Sequence, residues 1–189
     1  MFAGHFAIAL ALKARYRDVP LAALLFAAQL CDVLWLVLTA LNVEHYRLYF
    51  ALNGTLHLDL YEVPYSHAFF WTAFYALQVF LLFVRAEGQR HWAVPLSLAV
   101  LSHWFLDWLV CAPILPFANF GPEIKFGAKL AHIFPFAGLM IEAVIVFACW
   151  RVYERRLKET VAGKRWERGA ILVLLTVLLL APEILRRVY

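Results

Sequence analysis

The chain contains six apolar stretches that are separated by polar connections. The first, residues 2–16, is short, and the other five are of full or nearly full membrane-spanning length: 19–41, 66–86, 91–111, 130–152 and 168–186. A helix needs about 20 residues to cross a hydrocarbon core about 30 Å thick. Since 65% of the 189 residues are hydrophobic, a single soluble core would leave much apolar surface in water. The sequence therefore predicts an all-α fold, a polytopic transmembrane bundle of about six helices that forms a single domain over residues 1–189.

Residue types at the ends of these stretches support the boundaries. Pro20 suits a first helical turn, and Ser66, after Pro64, is a typical N-cap for the third helix. Pro113 and Pro116 are expected to end the fourth helix. The first fifteen residues lack the basic n-region and cleavage site of a signal peptide, so we expect them to be retained as the first helix.

The basic residues are divided unevenly between the two sides that six crossings would create. Twelve fall on one side: Lys13, Arg15, Arg17, Arg85, Arg90, Arg151, Arg155, Arg156, Lys158, Lys164, Arg165 and Arg168. Five fall on the other: Arg47, Lys125, Lys129, Arg186 and Arg187. Because cytoplasmic connections carry an excess of Lys and Arg, we expect the first side to face the cytoplasm, with both termini outside. The net charge of +4 then reflects orientation, and no nucleic-acid partner is expected.

Seven ionisable side chains interrupt the apolar stretches, where such groups are costly and by default mark a functional site. They are His5, Asp32, His67, His103, Asp107, His132 and Glu142. With alternating helix directions, all of them fall in the outer half of the membrane. Helical bundles bind metals through side chains that several helices contribute at one level. We interpret five of these residues as ligands of a divalent metal: His5, Asp32, His67, His103 and Asp107. Their nitrogen and oxygen atoms suit zinc, manganese or iron. The alternative is that each histidine only hydrogen-bonds a carbonyl or a neighbour.

The spacing of His103 and Asp107 is the most specific local signal. Residues four apart lie one above the other on a helix, so both can contact one ion or two adjacent ions. The pairs Ser66–His67 and Ser102–His103 are not expected to act as nucleophile and base, because adjacent helical residues point about 100° apart.

Other residues are candidates for supporting roles. Glu142 is either a general base or a buried structural carboxyl. Lys125 and Lys129 are candidates for binding an anionic substrate, with a solvated loop as the alternative. Further residues that could join the metal site are Cys111, His132 and the loop histidines His45 and His57. The two loop histidines lie with Glu44, Asp59 and Glu62 in either a lid or a solvated loop.

Several short motifs together resemble a known family. They are Gly4-His5-Phe6, Ala27-Ala28-Gln29 with Asp32 and Trp35, Leu58-Asp59 before Pro64-Tyr65-Ser66-His67, and Leu101-Ser102-His103-Trp104 with Leu106-Asp107. These segments, spread over most of the chain, resemble the bacterial membrane-bound metal-dependent hydrolase-like proteins. Their His and Asp pattern is similar to that of zinc-dependent phospholipase C. Where members often have another histidine and an Arg-Pro-Asp sequence, this chain has Cys111-Ala112-Pro113-Ile114.

The resemblance implies hydrolysis, and the residues suggest its chemistry. We expect metal-activated water to attack a phosphoester, with Asp107 or Asp32 positioning the water and a lysine attracting the anion. Because the site is expected to open at the outer leaflet, the expected substrate is a lipid or a lipid-linked molecule. Two other functions stay open: a carrier of a metal or small solute lined by the same residues, and a haem protein with histidine ligands.

Overall fold

The computed structural model describes residues 2–50, 56–111, 113–122, 124–130, 137–160, 171, 173–177 and 180. Within these ranges the chain is mainly helical. The helices α1 to α6, in chain order, are Phe2–Arg15, Leu21–Ala28, Leu30–Ala40, Phe69–Arg85, Ala93–Val110 and Ala137–Thr160. A short 3-10 helix, Arg90–Trp92, precedes α5, and residues 171, 173–177 and 180 are also helical.

Helix α5 lies at the centre of the packing. It contacts α1, α2, α3 and α4, while α1 also contacts α2 and α6. The facing surfaces carry small side chains, and Ala9, Ala27, Ala76 and Ala99 are buried together in one apolar cluster. Because helix separation depends on the size of the side chains at the contact, these alanines let α1, α2, α4 and α5 approach one another closely.

The second apolar stretch contains two helices, α2 and α3, which meet at Gln29 with a bend of 52°. The backbone of Gln29 has φ −101° and ψ 6°, and its amide donates to the carbonyls of Leu25 and Phe26. The last carbonyls of a helix have no partner within that helix. The break therefore leaves the Ala28 carbonyl available to another group, in the middle of an apolar stretch.

A Schellman motif ends α3 and directs the residues that follow. The amide of Asn42 donates to the Thr39 carbonyl at 3.0 Å, and the amide of Val43 donates to the Leu38 carbonyl at 2.8 Å. Asn42 has a φ of 55°, the left-handed conformation that this motif requires and that asparagine tolerates. The turn brings Glu44 back into the protein, where it is buried.

Two antiparallel strand pairs occupy the connections that were expected to be loops. Strands β1 (His45–Phe50) and β2 (Leu56–Glu62) pair after α3, and β3 (Leu115–Pro116) and β4 (Lys125–Phe126) pair after α5. The aromatic residues in β1, Tyr46, Tyr49 and Phe50, suit a strand. The prediction of an all-α fold is therefore wrong.

The prediction of a six-helix transmembrane bundle is also wrong. Among the described residues, one helix, Arg90–Val110, is long and apolar enough to cross a membrane, or two if α2 and α3 count as one bent span. Helices α1 and α4 have 14 and 17 residues, which corresponds to about 21 Å and 26 Å at 1.5 Å per residue. Helix α6 has 24 residues, but its first 18 include three charged residues: Glu142, Arg151 and Glu154.

Helices α4 and α5 are antiparallel, which gives the protein two distinct ends. At one end Phe69 lies 4.9 Å from Trp104 between ring centroids, and at the other Phe83 lies 5.8 Å from Trp92. We call the first the site end, because it contains the residues interpreted as ligands. We call the second the basic end, because the chain there carries Lys13, Arg15, Arg17, Arg85 and Arg90.

Candidate metal centre

Four separate segments contribute side chains to one cluster at the site end. His5 lies in the first turn of α1, Asp32 in the first turn of α3, and His67 in the turn that precedes α4. His103 and Asp107 lie one turn apart in the C-terminal half of α5. The structure thus brings together all five residues that were interpreted as ligands from the sequence. We call them the His–Asp cluster.

The three histidines of this cluster direct their Nε2 atoms at two carboxylates. His5 Nε2 lies 3.3 Å from Asp107 Oδ1, and His103 Nε2 lies 3.4 Å from Asp107 Oδ2. His67 Nε2 lies 3.4 Å from Asp32 Oδ1 and 3.8 Å from Asp107 Oδ2, while His103 Nε2 lies 3.6 Å from Asp32 Oδ1. These separations exceed the usual N–H···O distance of about 2.7–3.2 Å. They match a coordination polyhedron, since ligand atoms about 2.1 Å from a tetrahedral zinc are about 3.4 Å apart.

The cluster is buried except at one carboxylate. His5, His67, His103 and Asp107 are each less than 10% exposed, whereas the side chain of Asp32 is 30% exposed. The cluster therefore meets solvent beside Asp32.

A backbone carbonyl determines which nitrogen of His103 carries the hydrogen. His103 Nδ1 lies 2.9 Å from the Ala28 carbonyl oxygen, and since a carbonyl only accepts, Nδ1 is the donor. In the neutral ring, Nε2 then presents a lone pair. This atom is buried and has no hydrogen-bond partner among the described residues. A lone pair that faces the oxygens of Asp32 and Asp107 is unfavourable unless a metal ion lies between them or the ring takes up a second proton.

His67 is oriented by side chains instead. Ser66 Oγ donates to Glu44 Oε2 at 2.5 Å and lies 2.7 Å from His67 Nδ1. Glu44 Oε1 accepts the amides of Tyr65 and Ser66, at 2.8 and 2.9 Å. Glu44 and Ser66 are 1% and 0% exposed. Sequence reasoning missed this role of Glu44, because in the sequence it is one of several acids in a polar connection. The one indication in the sequence was the adjacent Ser66 and His67, since a serine beside a ligating histidine can link it to a further acceptor.

The expectation that Ser66 and His67 point apart as helical neighbours is wrong. Helix α4 begins at Phe69 with Ala68 as its N-cap, so the pair lies in a turn and the two side chains meet. The hydroxyl of Ser66 is fully buried and donates to Glu44. It is therefore not placed to attack a substrate.

Glu142 contacts the backbone beside the cluster. Its Oε1 accepts the amide of Gly4 at 2.9 Å, which joins α6 to the first turn of α1. A carboxylate at this position also interacts favourably with the positive end of the helix. The contact gives Glu142 a place next to His5, and the general-base role stays a prediction.

One loop histidine, His45, has an acidic neighbour. His45 Nδ1 lies 3.1 Å from Glu62 Oε2 across the β1–β2 pair, and His57 lies in β2 opposite Tyr49. His132 lies outside the described residues. His45 thus contacts Glu62, and the side chain of His57 is not among those that the structure describes.

Lys125, Lys129 and Cys111 lie near the C-terminal end of α5. Lys125 is exposed in β4 opposite Pro116. Lys129 is also exposed, and its amide donates to the Cys111 carbonyl at 2.9 Å. Since the amide of Cys111 in turn donates to the Asp107 carbonyl, the backbone of Lys129 lies about one turn beyond the cluster. Binding of an anion by either lysine stays a prediction.

The donor set fits a divalent cation. Two groups of three residues each place their ligand atoms within 4.8 Å of one another: His5, His103 and Asp107, and Asp32, His67 and His103. Because His103 belongs to both, the groups form one continuous cluster. Imidazole nitrogens and carboxylate oxygens with one open side are the arrangement of catalytic zinc sites.

Comparison with known proteins assigns no family, since no protein-family model, curated protein or solved structure matches the chain. A functional interpretation therefore depends on the His–Asp cluster and its surroundings.

Proposed function

We propose that the His–Asp cluster binds a divalent metal ion, with zinc as the first choice and manganese or iron as alternatives. The observation that carries the proposal is the spacing of the five side chains, whose facing nitrogen and oxygen atoms are 3.3 to 3.8 Å apart. The direction of the His103 lone pair supports it, because no described residue offers a hydrogen to that atom. The two carboxylates would balance the charge of a divalent cation.

We propose further that the protein is a metal-dependent hydrolase of a phosphoester. A bound metal would supply an activated water and polarise the phosphoryl oxygen. Asp32 is the cluster residue that both faces the histidines and reaches the surface, and in this proposal its carboxylate would accept a proton from attacking water. Asp107, which is buried among the three histidines, would share the metal with their Nε2 atoms. Lys125 and Lys129 would attract the anionic substrate toward this side.

The proposed substrate is a lipid or lipid-linked phosphoester in the bacterial inner membrane. Many large apolar side chains are exposed, among them Leu36 on α3, Leu82 on α4 and Val144 on α6, at 60%, 65% and 67%. Exposed apolar surface of this extent supports contact with lipid. The site end would face the extracytoplasmic side, because the basic end carries the cations that favour the cytoplasm.

The two other functions have less support. A carrier needs a polar route from the cluster to the basic end, but Ala9, Leu24, Ala99 and Val100 pack there in an apolar core. A haem needs space between ligands, whereas the rings of His5 and His103 stack 3.8 Å apart.

Metal analysis and turnover of phospholipids and lipid-linked phosphates, with and without chelator, test the proposal. We expect purified protein to contain a divalent metal and to lose turnover on chelation. His103→Ala should weaken metal binding by more than about 100-fold, since even loss of a residue that only supports a ligand costs 10- to 100-fold. His91→Ala, an exposed histidine in the 3-10 helix that precedes α5, is the matched control and should retain both metal and turnover. Turnover that persists without metal would contradict the mechanism, and metal-dependent uptake into vesicles without turnover would favour the carrier.

A further inference from the structure

Two of the cluster histidines follow a serine directly, but only one of these serines contacts its histidine. Ser102 Oγ donates to the Ala99 carbonyl of its own helix at 2.7 Å, and His103 is oriented by the Ala28 carbonyl. Ser66 Oγ instead lies between His67 Nδ1 and Glu44 Oε2. The chain therefore orients its two histidines by different means.

The hydrogen-bond donors around Ser66 can be assigned in order. Glu44 Oε1 accepts two backbone amides, those of Tyr65 and Ser66, and Oε2 accepts the hydroxyl of Ser66. A serine hydroxyl has one hydrogen, so once it is donated to Glu44 the oxygen can only accept from His67. His67 Nδ1 must then carry the ring hydrogen, and Nε2 presents a lone pair to Asp32 and Asp107.

We propose that Glu44 and Ser66 are positioning residues that hold His67 in the Nδ1–H tautomer and so prepare its Nε2 atom for a cation. All three residues are buried, at 1%, 0% and 3% exposure, so water does not compete for these hydrogen bonds. Groups that fix the tautomer of a ligating histidine commonly tune metal affinity. The consequence for metal affinity rests on the proposed function, whereas the tautomer is a property of the protein without metal.

The substitution Glu44→Gln separates this proposal from a general packing role. Glutamine has nearly the same shape, and its one carbonyl oxygen is needed by the amides of Tyr65 and Ser66. Its NH2 group would therefore face Ser66 Oγ and donate to it. The serine hydroxyl would then donate to His67 Nδ1, and the ring hydrogen would move to Nε2. The proposal thus predicts that one isosteric change reverses the tautomer of His67.

Nitrogen-15 NMR of histidine-labelled, metal-free protein at about pH 9, above the usual histidine range, measures the tautomer directly. The resonances of His67 are assigned by their loss in His67→Gln. We expect Nδ1–H in the unaltered protein, Nε2–H in Glu44→Gln, and a loss of the Nδ1–H preference in Ser66→Ala. The matched control Ser102→Ala should leave both His67 and His103 unchanged. A proton on Nε2 of His67 in the unaltered protein, or no change of tautomer in Glu44→Gln, would overturn the proposal.

Titration with Zn²⁺ then tests the consequence. We expect Glu44→Gln and Ser66→Ala to weaken binding about 10- to 100-fold, with Ser102→Ala unchanged. If the tautomers are as expected but the unaltered protein binds no divalent metal, the proposed function fails and the positioning role stands. If Zn²⁺ binds equally in all variants, the positioning role fails and the metal site stands.

Discussion

Each histidine of the His–Asp cluster presents the same atom, Nε2, but each is held differently. His103 is held by a backbone carbonyl and His67 by a hydroxyl. His5 stacks on His103 with an interplanar angle of 9°, and its Nδ1 has no hydrogen-bond partner among the described residues. The three ligands therefore differ in how firmly their ring orientation is fixed, with His5 fixed mainly by packing.

The five cluster residues could be predicted one by one from the sequence, because each is an ionisable group in an apolar stretch. Glu44 could not be found in this way. Its contact with Ser66 joins residues 22 positions apart and depends on the left-handed turn at Asn42, which the polar connection does not reveal.

At the same scale, the two exposed lysines near the end of α5 give a prediction about substrate capture. We expect Lys125→Ala and Lys129→Ala each to raise KM for an anionic substrate by less than about fivefold, because exposed charges contribute about 1 kcal/mol or less. Metal content should not change. Kinetics at low and high salt measure the effect, which should disappear near 1 M salt, where the screening length is about 3 Å.

Arg90→Ala is the control for net charge, since it removes an exposed cation at the basic end. An equal rise of KM in Arg90→Ala would show that the lysines act only through total charge.

At the scale of elements, the break between α2 and α3 is the feature that the sequence did not indicate. Gln29 lies within an apolar stretch that contains neither glycine nor an internal proline after Pro20, so no residue signalled the bend. The strands were different, because Tyr46, Tyr49 and Phe50 in β1 have high β propensity.

The contact between α6 and α1 gives a prediction that distinguishes two roles of Glu142. If Glu142 only accepts the Gly4 amide, Glu142→Gln keeps an acceptor and should retain most turnover. Glu142→Ala should lower the free energy of unfolding by about 1 kcal/mol, the typical contribution of such a bond, and weaken metal binding through His5. Chemical denaturation and Zn²⁺ titration measure both effects.

A different outcome would support catalysis by Glu142. If Glu142→Gln retains metal but loses turnover, the carboxyl acts as a general base, as the sequence first suggested.

At the scale of the whole molecule, hydropathy predicted mostly helical structure but overestimated the number of spanning helices. A count of apolar residues does not report whether a stretch forms one straight helix, as the bend at Gln29 shows. It also overlooks charges within a stretch, such as Glu142 and Arg151 in α6. The location of the cluster residues and the basic residues at opposite ends was predictable. The stretches that form α4 and α5 are joined by a short connection and must run in opposite directions.

The two ends give a prediction of orientation for cells that produce the protein. With Cys31, Cys111 and Cys149 replaced by alanine, a cysteine at exposed Phe120, near the site end, should react with an impermeant thiol reagent in intact cells. A cysteine at exposed Glu87, at the basic end, should react only after permeabilisation. The reverse pattern would contradict the orientation, and reaction of both in permeabilised cells is the control for accessibility.

The Ala28 carbonyl has a consequence for how the cluster tolerates sequence change. A substitution at position 28 alters a side chain but leaves the carbonyl. The hydrogen bond to His103 is therefore kept as long as the new side chain fits this fully buried position. The restraint on His67 needs two particular side chains, and a change in either one removes it. Among descendants of this chain, His103 would therefore keep its orientation through many neighbouring substitutions, whereas Glu44 and Ser66 would have to be retained or replaced together.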